Sequence, residues 1–147
     1  MAEEAFIVWD ERYVIGIPVI DEQHKALLKL TNELYEACRK GDEVAREEFK
    51  DTIRRTVEYV KFHFSAEEKI LDRVKYPKIC EQKQQHEGFV RKVLEEVKNF
   101  EGGKTFVPNQ FVRFLRDWIL SHIAMEDKKY AEYIFKLKKE GNLTSGV

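Results

Sequence analysis

The chain has 147 residues, 43% of them hydrophobic and 36% charged, with a formal net charge of -1. That length supports one domain with its own core, and the balanced charge gives no reason to expect nucleic acid or an anionic membrane as partner. No run approaches the roughly 18 apolar residues of a membrane helix. Met1-Ala2-Glu3-Glu4-Ala5 places no basic segment before an apolar stretch, so no secretory signal is expected and the expected location is the cytoplasm.

Residues 1–20 hold Trp9, Tyr13, Val14, Ile15, Gly16 and Ile17 without a helical period, which predicts an ordered N-terminal arm packed on the helical body of the protein. The first helix is expected to start near Asp21, as N-cap, and to stop before Gly41. Its apolar face reads Leu27, Leu28, Thr31, Leu34, Tyr35 and Cys38. His24 precedes Leu27 by three positions and Leu28 by four, which puts it on that same face.

The second helix is expected over about residues 43–73, with the inward stripe Phe49, Ile53, Thr56, Val60, His63, Glu67, Ile70 and Val74. Alternating steps of four and three make this a bundle seam, and His63 and Glu67 fall on it. A buried carboxylate there needs a partner or a metal. Glu68, one position off the seam, is expected to face water.

A third helix comes after Tyr76-Pro77 and ends before Gly102-Gly103, with the stripe Ile79, Gln82, His86, Phe89, Val93, Val97 and Phe100. Gln82 and His86 are four apart and share the inward face. A fourth begins after Pro108 and carries Phe111, Phe114, Leu115, Trp118, Ile119, His122, Ile123, Tyr130, Ile134 and Leu137. His122 and Asp127 differ by five residues, roughly 140° around an ideal helix. They either flank one central site or are brought closer by a π-bulge.

Four helices with short connections imply an all-α, antiparallel, up-down-up-down four-helix bundle at residues 21–137, between an arm at 1–20 and a mobile tail at 138–147. In that topology His24, His63, Glu67, Gln82, His86, His122 and Asp127 come to one level. A lone inward histidine is usually a satisfied core residue. Four imidazoles and two carboxylates at one height point instead to a pair of metal ions, because nothing apolar could satisfy them. Cys38 and Cys80 form no Cys-x-x-Cys pair, which leaves a structural zinc site unsupported. Imidazole with carboxylate suits a non-haem di-iron centre. The His63-x3-Glu67 spacing is not the Glu-x-x-His of ferritin-like bundles.

The residues also resemble a known family, the bacterial hemerythrins, over about residues 6–137. The resemblance is carried by Trp9-Asp10, Gly16-Ile17 and Ile20-Asp21-Glu22-Gln23-His24. It continues in His63-Phe64-Ser65-Ala66-Glu67-Glu68, Tyr76-Pro77 with Gln82-Lys83-Gln84-Gln85-His86, and Trp118-Ile119-Leu120-Ser121-His122-Ile123-Ala124-Met125-Glu126-Asp127. It implies two iron ions with an oxo or hydroxo bridge. His24 and His63 would hold one and His86 and His122 the other, with Glu67 and Asp127 bridging. It implies dioxygen as the ligand, bound in an apolar pocket of Leu27, Phe64, Trp118, Ile119 and Ile123.

The chain departs from the pattern at Gln82, where the family carries a histidine. The second iron is left with a weak Gln82 carbonyl ligand, a water or an open position. The expectation is a dioxygen-binding protein for storage, delivery or scavenging. The alternatives are a di-iron redox enzyme (peroxidase, oxidase or nitric oxide reductase) and an oxygen or redox sensor. Sensor modules are normally fused to signalling domains, for which this length leaves no room.

Overall fold

The computed structural model describes residues 6–40, 43–102 and 108–141. All regular structure among them is helical. A 3-10 turn at Glu11–Tyr13 precedes α1 (Pro18–Lys40), α2 (Glu43–Arg73) and α3 (Ile79–Glu101). The last long helix is continuous but not uniform: α4 (Pro108–Ser121) passes through a π-helical segment, His122–Asp127, into α5 (Lys128–Lys139). α1 packs against α2 and α4, and α2 packs against α3, as the expected bundle requires. Of the expected tail at 138–147, residues 138 and 139 continue α5, and residue 142 onward lies outside the described residues, as does the extreme N-terminus.

α1 begins at Pro18, a turn before the expected start near Asp21. Proline has no N–H to leave unsatisfied and its fixed φ suits the first helical position. Asp21 is therefore inside the helix, and its carboxylate reaches back to accept from the Ile15 N–H at 2.8 Å and the Gly16 N–H at 3.1 Å. That contact ties the arm to the helix. Gly16 adopts φ +88°, a conformation that costs other residues, so glycine is required at this turn.

The arm covers the bundle. Asn32 on α1 accepts from the Ile7 N–H and donates to the Ile7 carbonyl, at 2.7 and 2.9 Å. Phe6 stacks on Tyr35 with ring centroids 4.2 Å apart. The 3-10 turn lies beside the π segment. At the other end, the Tyr133 hydroxyl donates to the carbonyls of Val74 and Lys75 and clamps the α2–α3 turn.

The helical stripes are buried largely as the spacing dictates. On α2 the buried face is wider than the expected stripe: Thr52, Phe64 and Leu71 are buried too, and Ile70 is only half-buried. After Glu67 the seam takes a step of four where the regular alternation would take three. No helix of the described residues is long and apolar enough to cross a membrane.

Candidate metal centre

Each bundle helix delivers polar side chains to one point in the core. α1 brings His24, α2 brings His63 and Glu67, α3 brings Gln82 and His86, and the π segment brings His122 and Asp127. All are buried; His24 and Asp127 are 0% exposed and the most exposed, His122, is 7%. The π segment answers the five-residue spacing of His122 and Asp127. Its wider turn brings His122 Nε2 to 3.2 Å from Asp127 Oδ1, which an ideal α-helix would hold on different faces.

The donor atoms converge on one another. Glu67 Oε1 lies 3.3 Å from His24 Nε2 and 3.1 Å from His63 Nε2. Glu67 Oε2 lies 3.2 Å from His86 Nε2, and Asp127 Oδ2 lies 3.1 Å from His24 Nε2. Yet Glu67 Oε2, Asp127 Oδ2 and His24 Nδ1 are buried with no hydrogen bond of acceptable geometry. A buried polar atom left in that state is costly. Glu67 Oε2 and Asp127 Oδ2 are thus carboxylate oxygens set among the histidine nitrogens with hydrogen-bonding capacity unmet, which a bound cation would satisfy.

The ligand atoms fall into two groups: His24, His63, Glu67 and Asp127, and then Glu67, His86 and His122, with the atoms of each within 4.8 Å of one another. Glu67 belongs to both. Nitrogen and carboxylate donors of this kind fit first-row transition ions. The free cysteines, half-buried Cys38 and exposed Cys80, are not in either group.

Electrostatics match a cluster that expects positive charge. Desolvation by itself would lower the pKa of His24, but its contacts with Asp127 and Glu67 prevail and raise it to about 9. His86 is also shifted up: burial opposes, and Glu67 and Glu68 outweigh it. Burial would raise Glu67, but the charge of His63 and contacts from His24, His63 and His86 hold it well below the usual carboxylate range.

Outer contacts fix the rings. His63 Nδ1 is 2.7 Å from Gln23 Oε1, and His86 Nδ1 is 3.0 Å from Glu68 Oε2. Each partner orients the imidazole with Nε2 facing inward, as second partners do for metal-binding histidines. Phe64 stacks flat on His86 and Trp118 on His122, at 3.8 and 4.4 Å between centroids. The Tyr130 hydroxyl donates to Glu67 Oε1 at 2.9 Å. Gln23, Glu68 and Tyr130 were not singled out by sequence. Glu68 was expected to face water, and its side chain is only 28% exposed because it turns to His86. The usable signal was adjacency: Gln23 precedes His24, and Glu68 comes directly after Glu67.

A cavity of about 10 Å³ lies against the donors, lined among others by Leu27, Phe64, Trp118, Ile119 and Ile123 together with His24, His63, His122 and Asp127. That is room for roughly one water-sized molecule. The structure thus brings the residues of the expected apolar pocket together beside the histidines.

Fold and site together define a cation-binding helical bundle in which a central carboxylate is shared by two histidine groups. Within that class the chain belongs to the hemerythrin family. The family model described as hemerythrin HHE cation binding domain matches residues 15–134. The bacteriohemerythrin of Stenotrophomonas maltophilia (strain R551-3) is 31% identical over 130 residues, 88% of this chain and 82% of that protein. That of Methylococcus capsulatus is 30% identical over 127 residues, 86% and 95% of the two chains. A crystal structure of wild-type hemerythrin superposes with a TM-score of 0.81 at 27% identity, covering 87% of this chain and 97% of that one.

Proposed function

We propose that this is a non-haem di-iron protein that binds dioxygen for storage, delivery or scavenging. The observation that supports this most is the pair of donor groups sharing Glu67 beside a small, largely apolar cavity. His24 and His63 would hold one iron, His86 and His122 the other, with Glu67 common to both and Asp127 beside them. Gln82 stands next to the second iron, where its amide carbonyl is at best a weak ligand. When bound, such a pair supplies the electrons for reversible combination with dioxygen.

The chain's own residues set the conditions. Leu27, Ile119 and Ile123 are almost fully buried and offer water no polar partner on their side of the cavity. Phe64 and Trp118, stacked on His86 and His122, close it from the α2 and α4 sides. Excluding water in this way withholds protons from the bound gas, which favours release over turnover.

The test is iron content with visible absorption on anaerobically reduced protein, before and after oxygen is added and removed. About two irons per chain and a reversible colour change support oxygen binding. A second reading, a di-iron redox enzyme using peroxide, oxygen or nitric oxide, is favoured by one observation: an amide, Gln82, stands beside His122 of the second group, where the family resemblance implies an imidazole. Irreversible oxidation with catalytic consumption of peroxide or reductant would select that reading.

A further inference from the structure

We infer that Gln82 is a positioning residue that withholds Asp127 from the second metal, so that the two metal sites of this chain are unequal and fill in order. The inference rests on the di-iron reading and specifies how its two sites differ.

Gln82 is 3% exposed, and its amide nitrogen donates to Asp127 Oδ1 at 2.8 Å. An ionised carboxylate oxygen only accepts, so Gln82 must present its NH2 to that atom and not its carbonyl oxygen. The carbonyl oxygen is the one atom through which an amide could ligate a cation, and it is the nitrogen that faces Asp127 and His122 here. The same nitrogen lies 3.1 Å from His122 Nε2, so it occupies space that a cation on His86 and His122 would need.

Asp127 is thereby divided between two tasks. Oδ1 is engaged by Gln82. Oδ2 has no hydrogen bond and sits 3.1 Å from His24 Nε2. Its free oxygen is thus the one beside the first group. The His24–His63 group commands two carboxylates, whereas the His86–His122 group has its share of Glu67 and an Asp127 Oδ1, 3.2 Å from His122 Nε2, that is already hydrogen-bonded to Gln82. A divalent cation prefers the group with more anionic oxygen around it, so the first fills before the second. Once both are filled, the second keeps the poorer ligand set.

The test is calorimetric titration of the metal-free full-length chain with Fe2+ under anaerobic conditions, repeated with Zn2+. Wild type should take up metal in two steps whose affinities differ by at least about tenfold, the lower end of what a lost supporting contact costs a metal site. Gln82→His adds an imidazole and should narrow the gap. Gln82→Leu removes the amide without adding a ligand, which frees Asp127 Oδ1; the second step should then tighten while the first stays unchanged. Two equal steps in wild type would overturn the inference and leave the di-iron reading standing. So would a second step that is unchanged or weaker in Gln82→Leu, because Gln82 would then not act through Asp127. Absence of any uptake would overturn both.

Discussion

Leu27 and Leu28 are neighbours on α1 with nearly equal burial, 2% and 3% exposed, but only Leu27 lines the cavity beside the histidines. Truncating either to alanine removes a buried isobutyl group, expected to cost about 2–5 kcal/mol. The existing cavity of about 10 Å³ hardly separates them, because at about 24 cal/mol per Å³ it adds only ~0.2 kcal/mol. Leu27→Ala and Leu28→Ala should therefore lower the stability of the metal-free protein by similar amounts in urea titrations. Their effect on chemistry should differ. Leu27→Ala opens the pocket to water and should speed air oxidation of the reduced, iron-loaded protein about tenfold, equivalent to ~1.4 kcal/mol of barrier. Leu28→Ala should leave that rate near wild type. Equal acceleration in both variants would refute the reasoning, because oxidation would then track general loosening of the bundle and not dryness of the pocket.

Other outcomes hinge on single contacts. Glu68→Ala removes the partner of His86 Nδ1 and should weaken the second metal step by about 10- to 100-fold with the first unaffected, read in the same calorimetric titration. In Gly16→Ala, the new Cβ would meet Phe135 Cζ at 2.8 Å on a backbone at φ +88°. Stability should fall by at least ~1–2 kcal/mol from the left-handed backbone alone. Adding Phe135→Ala should recover only the steric part, and full recovery in urea melts would show that the backbone carries no strain. The raised pKa of His24 gives a definite pH trend for the metal-free protein. Its folded value of about 9 exceeds the ordinary 6.5, so its contribution is complete below about 6.5 and is lost as pH rises through about 9. Urea midpoints of wild type should drop across that window by more than those of His24→Gln; parallel profiles would show that His24 is not the group responsible.

Much of the centre was legible because bundle helices expose their ligand faces in the sequence. His63 and Glu67 stand on a seam that would otherwise be apolar, and a five-residue interval between His122 and Asp127 is awkward for an α-helix but natural for a π turn. The features that periodicity could not report depend on side-chain reach. Asp21 resembled an N-cap, yet the helix starts earlier and its carboxylate spans back to Ile15 and Gly16. Glu68 lies off the seam by periodicity, but a carboxylate at the edge of the face can bend inward once His86 offers an N–H. The hydroxyl of Tyr130 was hidden in a residue whose ring alone accounts for a core position. Gln82 was visible as an anomaly, but its bond to Asp127 joins residues on different helices and no spacing rule reports it.

The distribution of donors over every helix of the bundle also governs when the centre can come into being. Neither donor group is local: the first draws on α1, α2 and the π segment, the second on α2, α3 and the π segment. Contacts so distant along the chain form late, after loop closure has brought the helices together. A metal bound there would act as a fastener on the assembled bundle, slowing the separation of the first and last helices more than it speeds their meeting.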